Sequence, residues 1–162
     1  MAEALIRIGG ADAEYLSLAV HGRNIPEAAD YWDGNFLWCT AEVAAGAFRG
    51  SLGGLIRNED LARFLPRLEA LYQRLDGVAL FDTLDGWLDV QVVGVGRGHI
   101  EVRGQLVDDP VGGNQLEFRL ALDQTYLPPI IAQVRAAVEA FPVVGSPDAA
   151  PGPSPRNFFG AK

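Results

Sequence analysis

Apolar and polar positions alternate with a period of two over most of this chain, and change to three- and four-residue spacing in only two stretches. Leu16, Leu18 and Val20 alternate with Tyr15, Ser17, Ala19 and His21, so residues 5–23 read as one or two strands. A loop with Pro26 leads to Tyr31-Trp32-Asp33-Gly34-Asn35-Phe36-Leu37-Trp38-Cys39, where Asp33-Gly34-Asn35 reads as a tight turn wrapped in aromatics. The strand that follows, 36–45, has Phe36 and Trp38 on one face and Leu37, Cys39, Ala41 and Val43 on the other. Apolar residues on both faces predict a strand covered on both sides at its start. Glu42 predicts that it then emerges toward solvent. Phe48 to Ile56 is its hairpin partner, weakened by Gly50, Gly53 and Gly54.

The first helical stretch opens at Asn58-Glu59-Asp60, with Asn58 as N-cap and two acids suited to the helix dipole. Leu61, Phe64, Leu65, Leu68, Leu71, Tyr72 and Leu75 form its apolar stripe. Pro66 should kink this helix or split it after one turn, and Gly77 fits as the C′ residue that ends it. A meander follows, with strands at 78–82, 87–95, 99–107 and 116–122. Clean alternation along these strands argues an antiparallel sheet with one buried face. The second helix starts at Pro128-Pro129, carries Ile130, Ile131, Val134, Val138 and Phe141 inward, and stops at Pro142. The pattern predicts an α+β fold: a curved antiparallel β-sheet of about six to eight strands with two packed α-helices. Residues 1–144 form a single domain, and 145–162 a Pro/Gly-rich disordered tail, in which Phe158-Phe159 is incidental.

Length agrees with one domain, since 162 residues suffice for a proper core. No run approaches the ~18 apolar residues of a membrane helix, and Met1-Ala2-Glu3-Ala4 lacks a secretory n-region. The lone Cys39 leaves no internal disulfide. A cytoplasmic protein without a membrane partner is expected. Charge adds more. The net charge is −8, and it is concentrated. Glu27, Asp30, Asp33 and Glu42 lie between Arg23 and Arg49 with no base among them, and Asp76, Asp82, Asp85 and Asp89 lie likewise between Arg74 and Arg97. The 21 acids less these eight leave 13, equal to the 13 bases. If the two windows are neighbours in space they form one negative field, which attracts a basic partner and repels nucleic acid. With a single lysine, Lys162, and scattered arginines, the chain has no nucleic-acid footprint.

No catalytic constellation emerges. His21 and His99 lie far apart on predicted strands, no Ser sits in a nucleophile elbow, and Cys39 within an apolar run favours an inert thiol. Asp82-x-x-Asp85-x-x-x-Asp89 is the densest candidate for metal ligation or carboxylate chemistry, but it lacks the glycine and terminal Glu of a calcium loop. Gly94-x-Gly96-x-Gly98 joins two strands and reads as a hairpin turn. No metal, cofactor or catalytic residue is expected.

Tyr31-Trp32-Asp33-Gly34-Asn35-Phe36-Leu37, then strand, helix and meander, then Asp123-Gln124-Thr125-Tyr126-Leu127 and a closing helix ending Phe141-Pro142, resembles the WapI-like immunity family over residues 14–144. The helix with Asp60, Phe64 and Leu71-Tyr72, followed by Gly77, sits where that family has its counterpart. The resemblance implies an acidic cytoplasmic protein that binds and neutralises a cognate polymorphic toxin domain, a basic one, without chemistry of its own. It implies no particular inhibitory residues. Charge and aromatic character instead select Glu27, Asp30, Trp32 and Asp33, supported by Asp82, Asp85 and Asp89, as the partner-binding set. The alternative is a small-ligand binding module that uses the interior of the curved sheet, with Trp38 or Trp87 in its wall. The sequence leaves the oligomeric state open.

Overall fold

Two antiparallel meanders, each of four strands, make up the β-structure of the computed structural model, which describes residues 3–10 and 13–149. The first sheet runs in chain order through β1 (Ala4–Gly9), β2 (Tyr15–Arg23), β3 (Phe36–Ala45) and β4 (Phe48–Arg57). The second runs through β5 (Asp76–Asp82), β6 (Leu88–Gly96), β7 (His99–Val107) and β8 (Gln115–Asp123). A short α1 (Tyr31–Gly34) precedes β3, α2 (Asn58–Arg74) joins the sheets, and α3 (Leu127–Ala140) closes the fold. The α+β class stands, with the expected sheet divided in two. Alternation along a strand determines which side chains face inward, but not which strands share a ladder. Here the 17 residues of α2 separate β4 from β5, and the two do not pair.

Ile6, Ile8, Leu16, Leu18, Val20, Leu37, Cys39, Ala41, Val43 and Ile56 form the buried face of the first sheet. Ala79, Phe81, Val90, Val92, Ile100, Val102, Phe118 and Leu120 form that of the second. The apolar stripe of α2 packs along β5 and against α3, which in turn lies on β1. The Phe64 and Phe81 rings meet at 5.3 Å between α2 and β5. Trp87, just before β6, reaches across to the first sheet, where its indole lies on Gly54 and its Nε1–H donates to the Leu55 carbonyl at 2.8 Å. A Cβ on Gly54 would come within 2.3 Å of that ring, so the residue expected only to weaken β4 makes room for the bridge between sheets.

Four local expectations change. Phe36 is half-buried and Trp38 is 45% exposed, so β3 is covered on its inner face only. The turn at Asp33-Gly34-Asn35 is instead the end of a one-turn helix capped by Asp30. The helix α2 runs unbroken through Pro66, which lies with Ala62 on the exposed side, where water can satisfy the carbonyl that proline leaves without a donor. The residue that caps its C-terminal end is Leu75, not Gly77, in a left-handed conformation (φ 57°) held by the Leu75 N–H to the Leu71 carbonyl at 2.7 Å. Leu75 packs against the core, which offsets the strain that glycine would avoid. Of the segment expected to form a tail, 150–162 lies outside the described residues, as does the Phe158-Phe159 pair.

Candidate functional site

The aromatic corner is assembled from two stretches, 30–36 and 57–59. Asp30 caps α1, its Oδ1 accepting from the backbone N–H of Trp32 at 2.9 Å and of Asp33 at 3.0 Å. This orients Tyr31 and Trp32 edge to face, with centroids 5.1 Å apart. From the end of β4, the Arg57 guanidinium donates to the carbonyls of Tyr31 at 2.9 Å and Trp32 at 3.2 Å. It also forms a two-pronged ion pair with Glu59, at 3.0 and 2.8 Å. Its plane lies 4.9 Å from the Tyr31 ring centre and 4.8 Å from that of Phe36. The Tyr31 hydroxyl donates to Glu59. Burial alone would raise the Glu59 carboxyl, but Tyr31 and Arg57 outweigh it and hold the group below its ordinary range. Trp32 itself stays 45% exposed on this braced frame.

Beneath the corner, the fully buried amide of Asn35 joins α1 to the chain after α3. Its Nδ2 donates to the Tyr31 carbonyl at 2.9 Å and the Val144 carbonyl at 2.8 Å, while its Oδ1 accepts from the Val144 N–H at 2.9 Å. Asn58 donates to Asn35 Oδ1 at 3.0 Å and to the Phe141 carbonyl at 3.2 Å. The side chain expected to cap α2 therefore points into the fold. The α2 start is satisfied by Asp60, whose Oδ2 accepts the Arg57 N–H at 2.8 Å.

The second acidic segment lies beyond the first turn of α2. Asp82 and Asp89 sit directly opposite each other on β5 and β6, and Asp85 is exposed in the loop between. Burial raises the Asp89 carboxyl, partly opposed by the Thr83 N–H, and the facing Asp82 adds to the rise. Arg67 of α2 approaches Asp82 at 3.7 Å, and Arg63 pairs with Asp60 at 2.6 Å. The seven selected residues thus fall into two groups, Glu27, Asp30, Trp32 and Asp33 on one side and Asp82, Asp85 and Asp89 on the other. Arg57, Arg63 and Arg67 enter alongside them, each set against an acid: Glu59, Asp60 and Asp82. These arginines are outside both windows in sequence; α2 carries Arg63 and Arg67, and the end of β4 carries Arg57. The roles of Arg57, Asn35 and Asn58 in the corner are not legible in the sequence, because these partners lie 23 to 109 positions away, where no local pattern records them.

Chemistry elsewhere is quiet. Burial pushes the Cys39 thiol up to about 12, so it stays protonated. His21 shares a 2.8 Å hydrogen bond with Thr40 Oγ1. Among the described residues, no three His, Cys, Asp or Glu side chains are grouped as a metal site. The space between Ile6, Leu16, Leu61, Phe64, Phe81 and Val90 amounts to about 20 Å³, room for one water and not for a small-molecule ligand. Trp87 fills the wall it was expected to line, and Trp38 points outward. No helix of the described residues is long and apolar enough to cross a membrane.

The family model for the immunity protein WapI-like family matches residues 7–142, from within β1 to just past the end of α3. Among curated proteins, none matches the chain.

Proposed function

This chain belongs to the WapI-like immunity protein family, and from that premise we propose that it neutralises a cognate polymorphic toxin domain by occluding it, without chemistry of its own. Family membership supports immunity in general and a toxin as partner. The finer reading is a basic toxin domain, bound in the cytoplasm. It is met by Glu27, Asp30, Trp32 and Asp33, with Asp82, Asp85 and Asp89 adding to the field at longer range.

The observation that carries this reading is the exposure of Trp32 on a rigid support. A half-exposed indole whose backbone is pinned by Asp30 and Arg57 loses little freedom on binding. An aromatic anchor within a polar rim is the common form of an interface hot spot. The net charge of −8 adds to this, because complementary fields raise association rates above the ~10⁵–10⁶ M⁻¹s⁻¹ of neutral pairs. The cavity beside Phe64 and Phe81 is too small for such a partner, and the Cys39 thiol is buried and protonated.

Titration with the toxin domain encoded beside this chain, at low and high salt, tests the reading. Tight one-to-one binding that weakens with salt is expected, and Asp30→Asn with Asp33→Asn should lower the association rate while the cap at α1 survives. Tight binding indifferent to salt would keep immunity and reject the acidic contact set. Absence of binding would reject toxin neutralisation.

A further inference from the structure

The register of the first sheet extends the Trp32 corner into a larger surface. Phe36 and Arg57 are directly opposed partners on β3 and β4, on the sheet's outer face. Trp38, two residues after Phe36, lies on that same face opposite Leu55, and is as exposed as Trp32, at 45%. The links are continuous: Trp32 meets Tyr31, Arg57 lies between the Tyr31 and Phe36 rings, and Trp38 follows one pleat further along β3.

Beyond Trp38 the face carries a row of mostly small residues. Leu5, Ala19, Thr40 and Gly53 form one row across all four strands. The Trp38 ring lies over the Gly53 end, where an added Cβ would come within 2.8 Å of its outer edge, and Leu5, 56% exposed, stands at the other. A floor of small side chains with a large apolar group at each end is unusual on a solvated sheet face, which normally carries charged or long polar residues. Acids stand on and beside this surface: Glu42 is on the face itself, bonded to Tyr15, while Asp30 and Asp33 belong to α1, which leads into Phe36. The bases here are Arg57, paired with Glu59, Arg7, stacked at 3.8 Å on Tyr15, and Arg49 at the far end of β4.

We propose that the outer face of the β1–β4 sheet, anchored by Trp38 and Leu5 and continuous with Trp32, is the surface that receives the toxin domain. The occupant is a protein patch with apolar side chains at its centre and lysines or arginines at its rim, complementary to the Trp38–Leu5 floor and the Glu42, Asp30 and Asp33 border. This rests on the immunity reading and narrows it. The second acidic segment lies on the other sheet, opposed in part by Arg67, and contributes field without contact.

The test is affinity of the full chain for its neighbouring toxin domain, with urea unfolding of each variant as a fold control. Trp38→Ala and Leu5→Ser, both at exposed positions, should each weaken binding about tenfold or more with the unfolding midpoint nearly unchanged. Gly53→Ala should weaken it too, by lifting the Trp38 ring while leaving the indole in place. Val78→Ser, at a similarly exposed apolar position (53%) on the second sheet, should leave affinity unchanged. Tight binding by the natural chain that Trp38→Ala and Leu5→Ser do not alter would overturn this surface and leave immunity standing. Loss of affinity in Val78→Ser alone would move the contact to the second sheet and overturn it as well. Absence of binding by the natural chain would overturn both.

Discussion

Asn35 and Val144 bind each other twice, the Asn35 amide donating to the Val144 carbonyl at 2.8 Å and accepting its N–H at 2.9 Å, across 109 residues of chain. A side-chain amide here takes the part of a neighbouring β-strand. It attaches the segment after α3 to the base of the aromatic corner. Asn35→Ala would remove four hydrogen bonds at a fully buried position and leave several polar groups without partners. A loss of about 3 kcal/mol is expected, from a cost of about 1–3 kcal/mol per orphaned group. Urea denaturation at neutral pH measures it, and a change below about 1 kcal/mol would mean that water replaces the amide.

The contact between Trp87 and Gly54 couples the two sheets. Gly54→Ala should destabilise by about 2–3 kcal/mol, since the new methyl and the indole cannot share the site without displacing a core side chain. Trp87→Phe should cost about 1–2 kcal/mol, chiefly by leaving the Leu55 carbonyl without its donor. If the sheets fold as one unit, both variants keep a single cooperative transition. Two separated transitions in urea would show instead that each sheet unfolds alone.

Glu59 and Asp60, adjacent in the first turn of α2, should respond to pH in opposite senses. Glu59 is held below its ordinary range in the folded chain, so its contribution is present above the unfolded pKa and is lost as pH falls through the folded value. Asp60 is raised by burial, against the Arg57 N–H and Arg63, with Asp82 adding to the rise. Between its unfolded and folded pKa the native state holds more protons, and stability falls as pH rises. Asp60→Asn should therefore flatten that decline, and Glu59→Gln should remove the acid-side loss. Unfolding free energies from pH 3 to 7 decide both, and parallel profiles for the two variants would contradict the assignment.

Cys39 should resist thiol reagents in the native chain at pH 8, because burial keeps it both protonated and inaccessible. Reaction with a disulfide reagent should become fast only in denaturant. Rapid labelling of the folded protein would mean that β3 opens locally.

Strand positions, inward faces and the two long helices are legible in the chain because they depend on local periodicity. His99 to Val107 is a strand as expected, and Leu37, Cys39, Ala41 and Val43 point inward as their alternation requires. Acidic concentration is equally plain, since charge needs no partner to be read, whereas the exposure of Trp32 is decided by the fold. What tertiary structure alone decided is which of these features meet. The division into two sheets follows from where α2 packs, and the exposure of Trp38 on the outer face of β3 from the lack of a covering layer among the described residues. The corner depends on Arg57, Asn35 and Asn58, whose bonds join segments far apart in sequence. Their worth comes from burial and distance, quantities that exist only once the chain has folded.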